Sequence, residues 1–222
     1  MKILKEFILS VAAGICIAFG GLLNLTCISL GNKIAGSFLF SVGLLLICLC
    51  GFNLFTGKVG YFLEKRPKSS YLLDLLIFYV GNFIGAFGTG FLLSKTTLCE
   101  AKSEFYKVAT NVATHKLVDG NNWLSMLILA IFCGVLVFLA VDLYKREKLH
   151  PVVRVLCVIL CIGTFVLAGF EHCIADMFYF GISGQLFINA PGALLSILLG
   201  STGNIIGAIL TYLVIYKVLK KD

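Results

Sequence analysis

Gly169-Phe170-Glu171-His172-Cys173-Ile174-Ala175-Asp176-Met177 is the stretch that decides the fold. It lies inside an apolar run from Val152 to Phe187 that carries no other charge apart from Arg154 near its start. An acid at the middle of a membrane helix costs about 2.5–3.5 kcal/mol even on lenient insertion scales, and residues kept at that cost face a cavity or a pathway. The glycine at the entry and the polar cluster behind it predict a helix that breaks inside the membrane, where irregular backbone is tolerated only beside protein or a cavity.

Composition agrees. Of the 222 residues 59% are hydrophobic and only 13% charged, about half the charged share of a soluble domain. One integral membrane domain, 1–222, accounts for the chain, and Met1 to Leu30 is too long and unbroken for a cleaved leader. The net charge of +7 raises the question of nucleic acid, but the cations sit between apolar runs rather than along one face, so no nucleic-acid partner is expected. Eight of the nine cysteines lie in apolar runs and read as small hydrophobes. Neither a disulfide framework nor metal-ligand spacing is present, and no cofactor is expected.

Six spans fit the ~20 residues needed to cross the hydrocarbon core: roughly 7–30, 35–63, 71–93, 123–142, 152–182 and 193–217. The second and fifth are too long and are interrupted, the second at Gly51-Phe52-Asn53-Leu54-Phe55-Thr56-Gly57-Lys58. Lys95–Asn122 reads as a polar connection. An even number of spans puts both termini on one side. Thirteen Lys and Arg fall on that side and five on the other, which predicts cytoplasmic termini in a cell-membrane protein bathed in lipid.

The chain also repeats itself. Gly81-Asn82-Phe83-Ile84-Gly85-Ala86 matches Gly203-Asn204-Ile205-Ile206-Gly207-Ala208 at five of six positions, 122 residues apart, and Gly51-Phe52-Asn53 aligns with Gly169-Phe170-Glu171, 118 apart. Two halves of three spans each must run in opposite orientations. The prediction is an all-α membrane fold of two inverted three-helix repeats, aquaporin-like, with a site where the two broken helices meet.

At these residues the chain resembles the formate/nitrite transporter family. The carrying motifs are Leu54-Phe55-Thr56-Gly57, Gly169-Phe170-Glu171-His172 followed by Ala175-x-Met177, and Gly203-Asn204-Ile205-Ile206-Gly207, with Phe40-Ser41-x-Gly43-Leu44 and Gly81-Asn82 in support. The resemblance implies a homopentamer in which each protomer has its own pore for small monovalent anions such as formate, nitrite or hydrosulfide. It implies His172 as central pore histidine, Thr56 opposite it, Asn204 as the pore asparagine and Glu171 as the acid beside the histidine. Phe40, Leu44 and Phe165 would form the outer constriction, Leu54 and Phe55 the cytoplasmic one, and Lys33 and Lys116 the vestibule charge. Five positions depart from the family pattern: Phe52 and Asn53 before Leu-Phe-Thr, Lys58 and Asp176 where asparagine is usual, and Gly134 in place of the asparagine of a Cys-Asn pair, which removes an expected partner of Glu171.

The physics of such a pore favours neutral passage. A bare carboxylate-sized ion in low dielectric costs on the order of 20 kcal/mol in the idealised limit. Protonating an acid of pKa ~4 at pH 7 costs only about 4 kcal/mol. Electrostatic capture at the mouth followed by passage as the neutral acid is the expectation, with His172 exchanging the proton and Asp176 capping the half-helix after it. Strictly coupled proton symport and a non-transporting structural subunit are the rival readings. An enzyme is not expected, because neighbouring Glu171, His172 and Cys173 on a helix point about 100° apart.

Overall fold

The computed structural model describes residues 2–64, 67–101, 103–118 and 122–219. Of the cations counted for orientation, Lys65, Arg66, Lys102, Lys220 and Lys221 lie outside them. The first half comprises α1 (Lys2–Ser29), α2 (Lys33–Leu39), α3 (Ser41–Cys50), α4 (Phe55–Lys58) with a 3-10 turn over Val59–Leu63, and α5 (Lys68–Leu93). The second comprises α6 (Glu104–His115), α7 (Trp123–Lys145), α8 (Pro151–Ala168), α9 (Cys173–Ser183), α10 (Gln185–Ile188) and α11 (Ala190–Leu213), which continues as a π-turn over Val214–Val218. Six of these segments are long and apolar enough to cross a membrane, with α2 and α3 counted as one.

The two predicted interruptions are present and alike. Span two splits into α2–α3 and α4; span five splits into α8 and α9. Gly51 ends α3 with φ 70°, ψ 27°, and Gly169 ends α8 with φ 74°, ψ 30°. This left-handed cap favours glycine, and it lets the next residue close the helix. Phe52 N–H donates to Ile47 O at 3.0 Å and Phe170 N–H to Phe165 O at 2.9 Å. Each of these paired residues stands 118 positions from its counterpart.

The halves pack in matching fashion: α1 lies chiefly on α5 and α7 chiefly on α11. The outer faces of the spans keep leucines such as Leu72, Leu76, Leu194 and Leu198 exposed, which suits hydrocarbon rather than water. One element was not foreseen. The connection read as polar contains α6, capped by Ser103 Oγ, which accepts from Tyr106 N–H at 3.1 Å. Phe105, Ala109 and Ala113, four residues apart, form its buried face, which packs on α9.

Candidate functional site at the two helix breaks

Each break leaves the first N–H groups of a half-helix and the last carbonyls of the preceding chain without helical partners. One asparagine meets the need on each side. Asn82 Oδ1 accepts from Phe55 N–H at 2.8 Å, while its Nδ2 donates to Ser10 O at 2.7 Å and Asn53 O at 2.8 Å. Asn204 Oδ1 accepts from Cys173 N–H at 3.0 Å, and its Nδ2 donates to Ala130 O and Glu171 O, both at 2.8 Å. Both side chains are wholly buried. This corrects the expectation that Asn204 faces the passage: its amide is spent on backbone, as framework.

Gly134 is explained by the same geometry. A Cβ placed there would lie 2.7 Å from Asn204 Cα and collide with its carbonyl, so α7 and α11 meet at the backbone. Gly14 stands in the equivalent place against Asn82 and Ala86. No side chain fits at 134, and Glu171 takes its partner elsewhere.

His172 and Thr56 do come together. Thr56 Oγ1 lies 2.9 Å from His172 Nε2, both side chains buried. His172 is the N-cap of α9, and its Nδ1 accepts from Ala175 N–H at 3.2 Å. That bond assigns the ring proton to Nε2, which donates to Thr56 and leaves the threonine hydroxyl hydrogen for another acceptor. The expected cap, Asp176, is displaced from that role: it sits one turn into α9.

Phe40 and Phe165 meet edge-on with centroids 5.7 Å apart, and Phe165 lies 5.8 Å from the His172 ring. Leu44, four residues on from Phe40 in span two, is buried as well, and Phe40 itself keeps helical dihedrals between α2 and α3. On the far side of this ring is a cavity of about 260 Å³ lined by Lys33, Lys116, Glu171, His172 and Tyr179 among others. On the termini side is a second cavity of about 150 Å³, lined by Leu54, Gly57, Lys58, Tyr144 and Lys145 among others. Of the two residues expected at the inner constriction, Leu54 lines this cavity. Phe55 instead turns its ring onto Tyr79, edge-on at 5.0 Å, in a separate apolar cluster.

The vestibule lysines differ from each other. Lys33 is exposed at the rim of the far cavity. Lys116 is largely buried, its ammonium 2.5 Å from Glu171 Oε2 and 3.0 Å from Asp176 Oδ1. Burial pulls the pKa of Lys116 down, but the Asp176 and Glu171 carboxylates outweigh it and hold the ammonium above the ordinary lysine range. Lys116 is thus a counter-ion locked between two acids rather than an uncompensated vestibule cation. Asp176 is wholly buried, and its Oδ2 has no hydrogen-bond partner among the described residues.

Comparison with known proteins places this architecture. The family model "Formate/nitrite transporter" matches residues 1–218. The chain belongs to the formate/nitrite transporter family. It is 30% identical over 92% of its length to a "Formate-nitrite transporter" of Entamoeba histolytica, covering 61% of that protein, and 27% identical over 78% of its length to "Formate channel FocA" of Haemophilus influenzae, covering 64%. The chain therefore spans a little under two thirds of these relatives. Among solved structures, a "Pentameric formate channel with formate bound" superposes with TM-score 0.80 at 24% identity, covering 99% of this chain and 98% of the other. That likeness establishes a shared formate/nitrite transporter fold.

Proposed function

We propose that this family member is a pore for small monovalent anions of weak acids, such as formate, nitrite or hydrosulfide, which cross its apolar constriction as the neutral acid. One observation carries the reading. A single polar pair, His172 Nε2–Thr56 Oγ1, lies beside a buried ring of Phe40, Leu44 and Phe165, with a cavity on either side. An ion would lose its hydration there with two side-chain groups to replace it; a neutral acid loses far less. Since Nε2–H already donates to Thr56, the threonine hydroxyl is left to donate to the passing oxygen or sulfur. Nδ1, the one basic nitrogen of this tautomer, is held by Ala175 N–H, so the ring acts as a neutral donor to Thr56, and the proton that neutralises the anion comes from water in the flanking cavities.

By analogy with the pentameric formate channel on which the chain superposes, the protomers assemble as a homopentamer in lipid. The excess of Lys and Arg on the termini side puts that side in the cytoplasm.

The test is flux of formate, nitrite and hydrosulfide through purified protein in liposomes across pH. Neutral passage predicts uptake that rises as the medium is acidified, accompanied by little current. Thr56→Val should slow it by about two- to tenfold, the kinetic equivalent of one neutral hydrogen bond, while Thr56→Ser stays close to wild type. A current that accounts for all the flux, with no dependence on pH, would overturn neutral passage.

A further inference from the structure

Asn82 and Asn204 each fasten a half-helix to its own half of the protein: Asn82 on α5 holds α4, and Asn204 on α11 holds α9. Neither amide sets one half-helix against the other, which is what the contact between Thr56 and His172 requires. The residues three positions before these asparagines do reach across. Tyr79 and Ser201 are 122 apart, the same offset as Asn82 and Asn204, so they are symmetry mates, and their hydroxyl oxygens lie 2.8 Å from one another. Residues related by a two-fold rotation touch only beside its axis, so this pair marks where the inverted halves meet next to the breaks.

The direction of the bond follows from its surroundings. Ser201 Oγ donates its one hydrogen to Ile197 O at 2.7 Å, so it accepts from the Tyr79 O–H. Each end of the bond bears on the first residue of a half-helix. The Tyr79 ring meets the Phe55 ring edge-on, with centroids 5.0 Å apart, and Phe55 precedes Thr56. Ser201 is in contact with the thiol of Cys173, and Cys173 follows His172. Helix α11 runs close along that residue, because a Cβ on Gly200 would stand 3.6 Å from the Cβ of Cys173. Phe55 and Cys173 are themselves mates, 118 apart. A chain of contacts thus runs from Thr56 through Phe55, Tyr79, Ser201 and Cys173 to His172, and it closes on the 2.9 Å contact between Thr56 Oγ1 and His172 Nε2. Among the described residues Tyr79 hydrogen-bonds to neither member of that polar pair.

We infer that Tyr79 is a positioning residue for the polar pair: by joining Phe55 to Ser201 and Cys173 across the two-fold axis, it sets how far the Thr56 hydroxyl stands from the His172 ring. Helix packing holds the halves together without this bond, so its loss spares the fold and removes the link that spaces α4 from α9. The inference rests on the proposed role of the pair in passage.

The test is a double-variant cycle on full-length protein in liposomes. Tyr79→Phe keeps the ring on Phe55 and removes only the hydroxyl. It should slow formate uptake about two- to tenfold, as loss of one neutral hydrogen bond does. Combined with Thr56→Val it should be no slower than Thr56→Val alone, because the contact it serves is already gone and groups that act through one contact are not additive. Ser201→Ala breaks the same bond from the other side and should repeat both results. A second readout needs no flux. The chain has three histidines, and in 15N-histidine-labelled protein the Nε2 resonance that Thr56→Val displaces belongs to His172. Tyr79→Phe should displace it too, although it alters no group bonded to that ring. Wild-type uptake in Tyr79→Phe, a double variant slower than Thr56→Val, or an unmoved Nε2 resonance each overturns this inference and leaves the proposed transport standing. If formate, nitrite and hydrosulfide all fail to pass, the transport reading falls, and the resonance decides by itself whether Tyr79 positions the pair.

Discussion

Replacing Asn204 with aspartate separates a framework asparagine from a pore-lining one. The substitution barely changes shape. Aspartate keeps an oxygen for Cys173 N–H but loses both donors, so Ala130 O and Glu171 O are each left facing a carboxylate oxygen about where Nδ2 now donates at 2.8 Å. Each buried carbonyl stripped of its partner costs about 1–3 kcal/mol, so the pair costs about 2–6 kcal/mol before repulsion between oxygens is counted. Against a net stability of about 5–15 kcal/mol, that is a large fraction. Asn82→Asp should behave alike, because Asn82 makes the corresponding three bonds on the other break. The assay is thermal melting of detergent-solubilised protein followed by size-exclusion fluorescence, with liposome flux on whatever survives. Both variants should melt well below wild type or fail to accumulate as a monodisperse species. If Asn204→Asp melts with wild type and alters only which anion passes, the amide faces the passage and the framework argument is wrong.

Gly134→Ala and Gly14→Ala each put a Cβ into an opposing backbone that cannot rotate away, and both should lose at least the about 1–3 kcal/mol typical of overpacking, seen as lowered melting temperatures. Lys116→Met strands Glu171 and Asp176 without their cation, at about 3–5 kcal/mol for a broken buried pair, and should accumulate poorly. Adding Asp176→Asn to it removes one of the stranded charges and should recover yield. A Lys116→Met protein with wild-type yield and melting would show that the three groups are not charge-coupled.

The breaks and the repeat were legible because each rests on local signals: a glycine, a polar cluster in an apolar run, and the same cluster again 118 residues away; the meeting of His172 with Thr56 was expected only from the family resemblance. What was not legible depends on contacts between distant segments. Asn204 reads as a pore ligand or as framework from the same letters; only the positions of Cys173 N–H and the carbonyls of Ala130 and Glu171 decide. Phe55 and Leu54 are adjacent and equally apolar, yet the turn of α4 sends one to Tyr79 and the other to the cavity. The face of α6 was written as Phe105, Ala109 and Ala113, but Glu104, Lys107, Thr110, Asn111 and Thr114 lowered hydropathy enough to make the segment read as a loop. With α6 unseen, nothing in the sequence set Lys116 against Glu171, 55 residues on.

The symmetric positions build the frame and the asymmetric ones hold the chemistry, and this division can be tested by exchange. Asn82 and Asn204, Gly14 and Gly134, and Gly51 and Gly169 are identical in the two halves and do the same job in each. Leu54 and His172 hold equivalent N-cap places, and Thr56 has Ile174 as its counterpart. The two-fold relation that sets Thr56 against His172 therefore sets Ile174 against Leu54. Moving the imidazole alone, by Leu54→His with His172→Leu, gives it an aliphatic neighbour and leaves Thr56 without a partner. Flux should fall as far as in His172→Leu by itself. Adding Thr56→Ile and Ile174→Thr rebuilds the pair on the opposite half with side-chain volumes nearly conserved, which cores tolerate best. If the frame is indifferent to which half carries the polar pair, the fourfold variant should transport better than the double one. A fourfold variant that assembles and melts like the double one but moves no more formate would mean that transport needs the surroundings of His172, namely Lys116, Glu171 and Asp176, as much as the imidazole–hydroxyl contact.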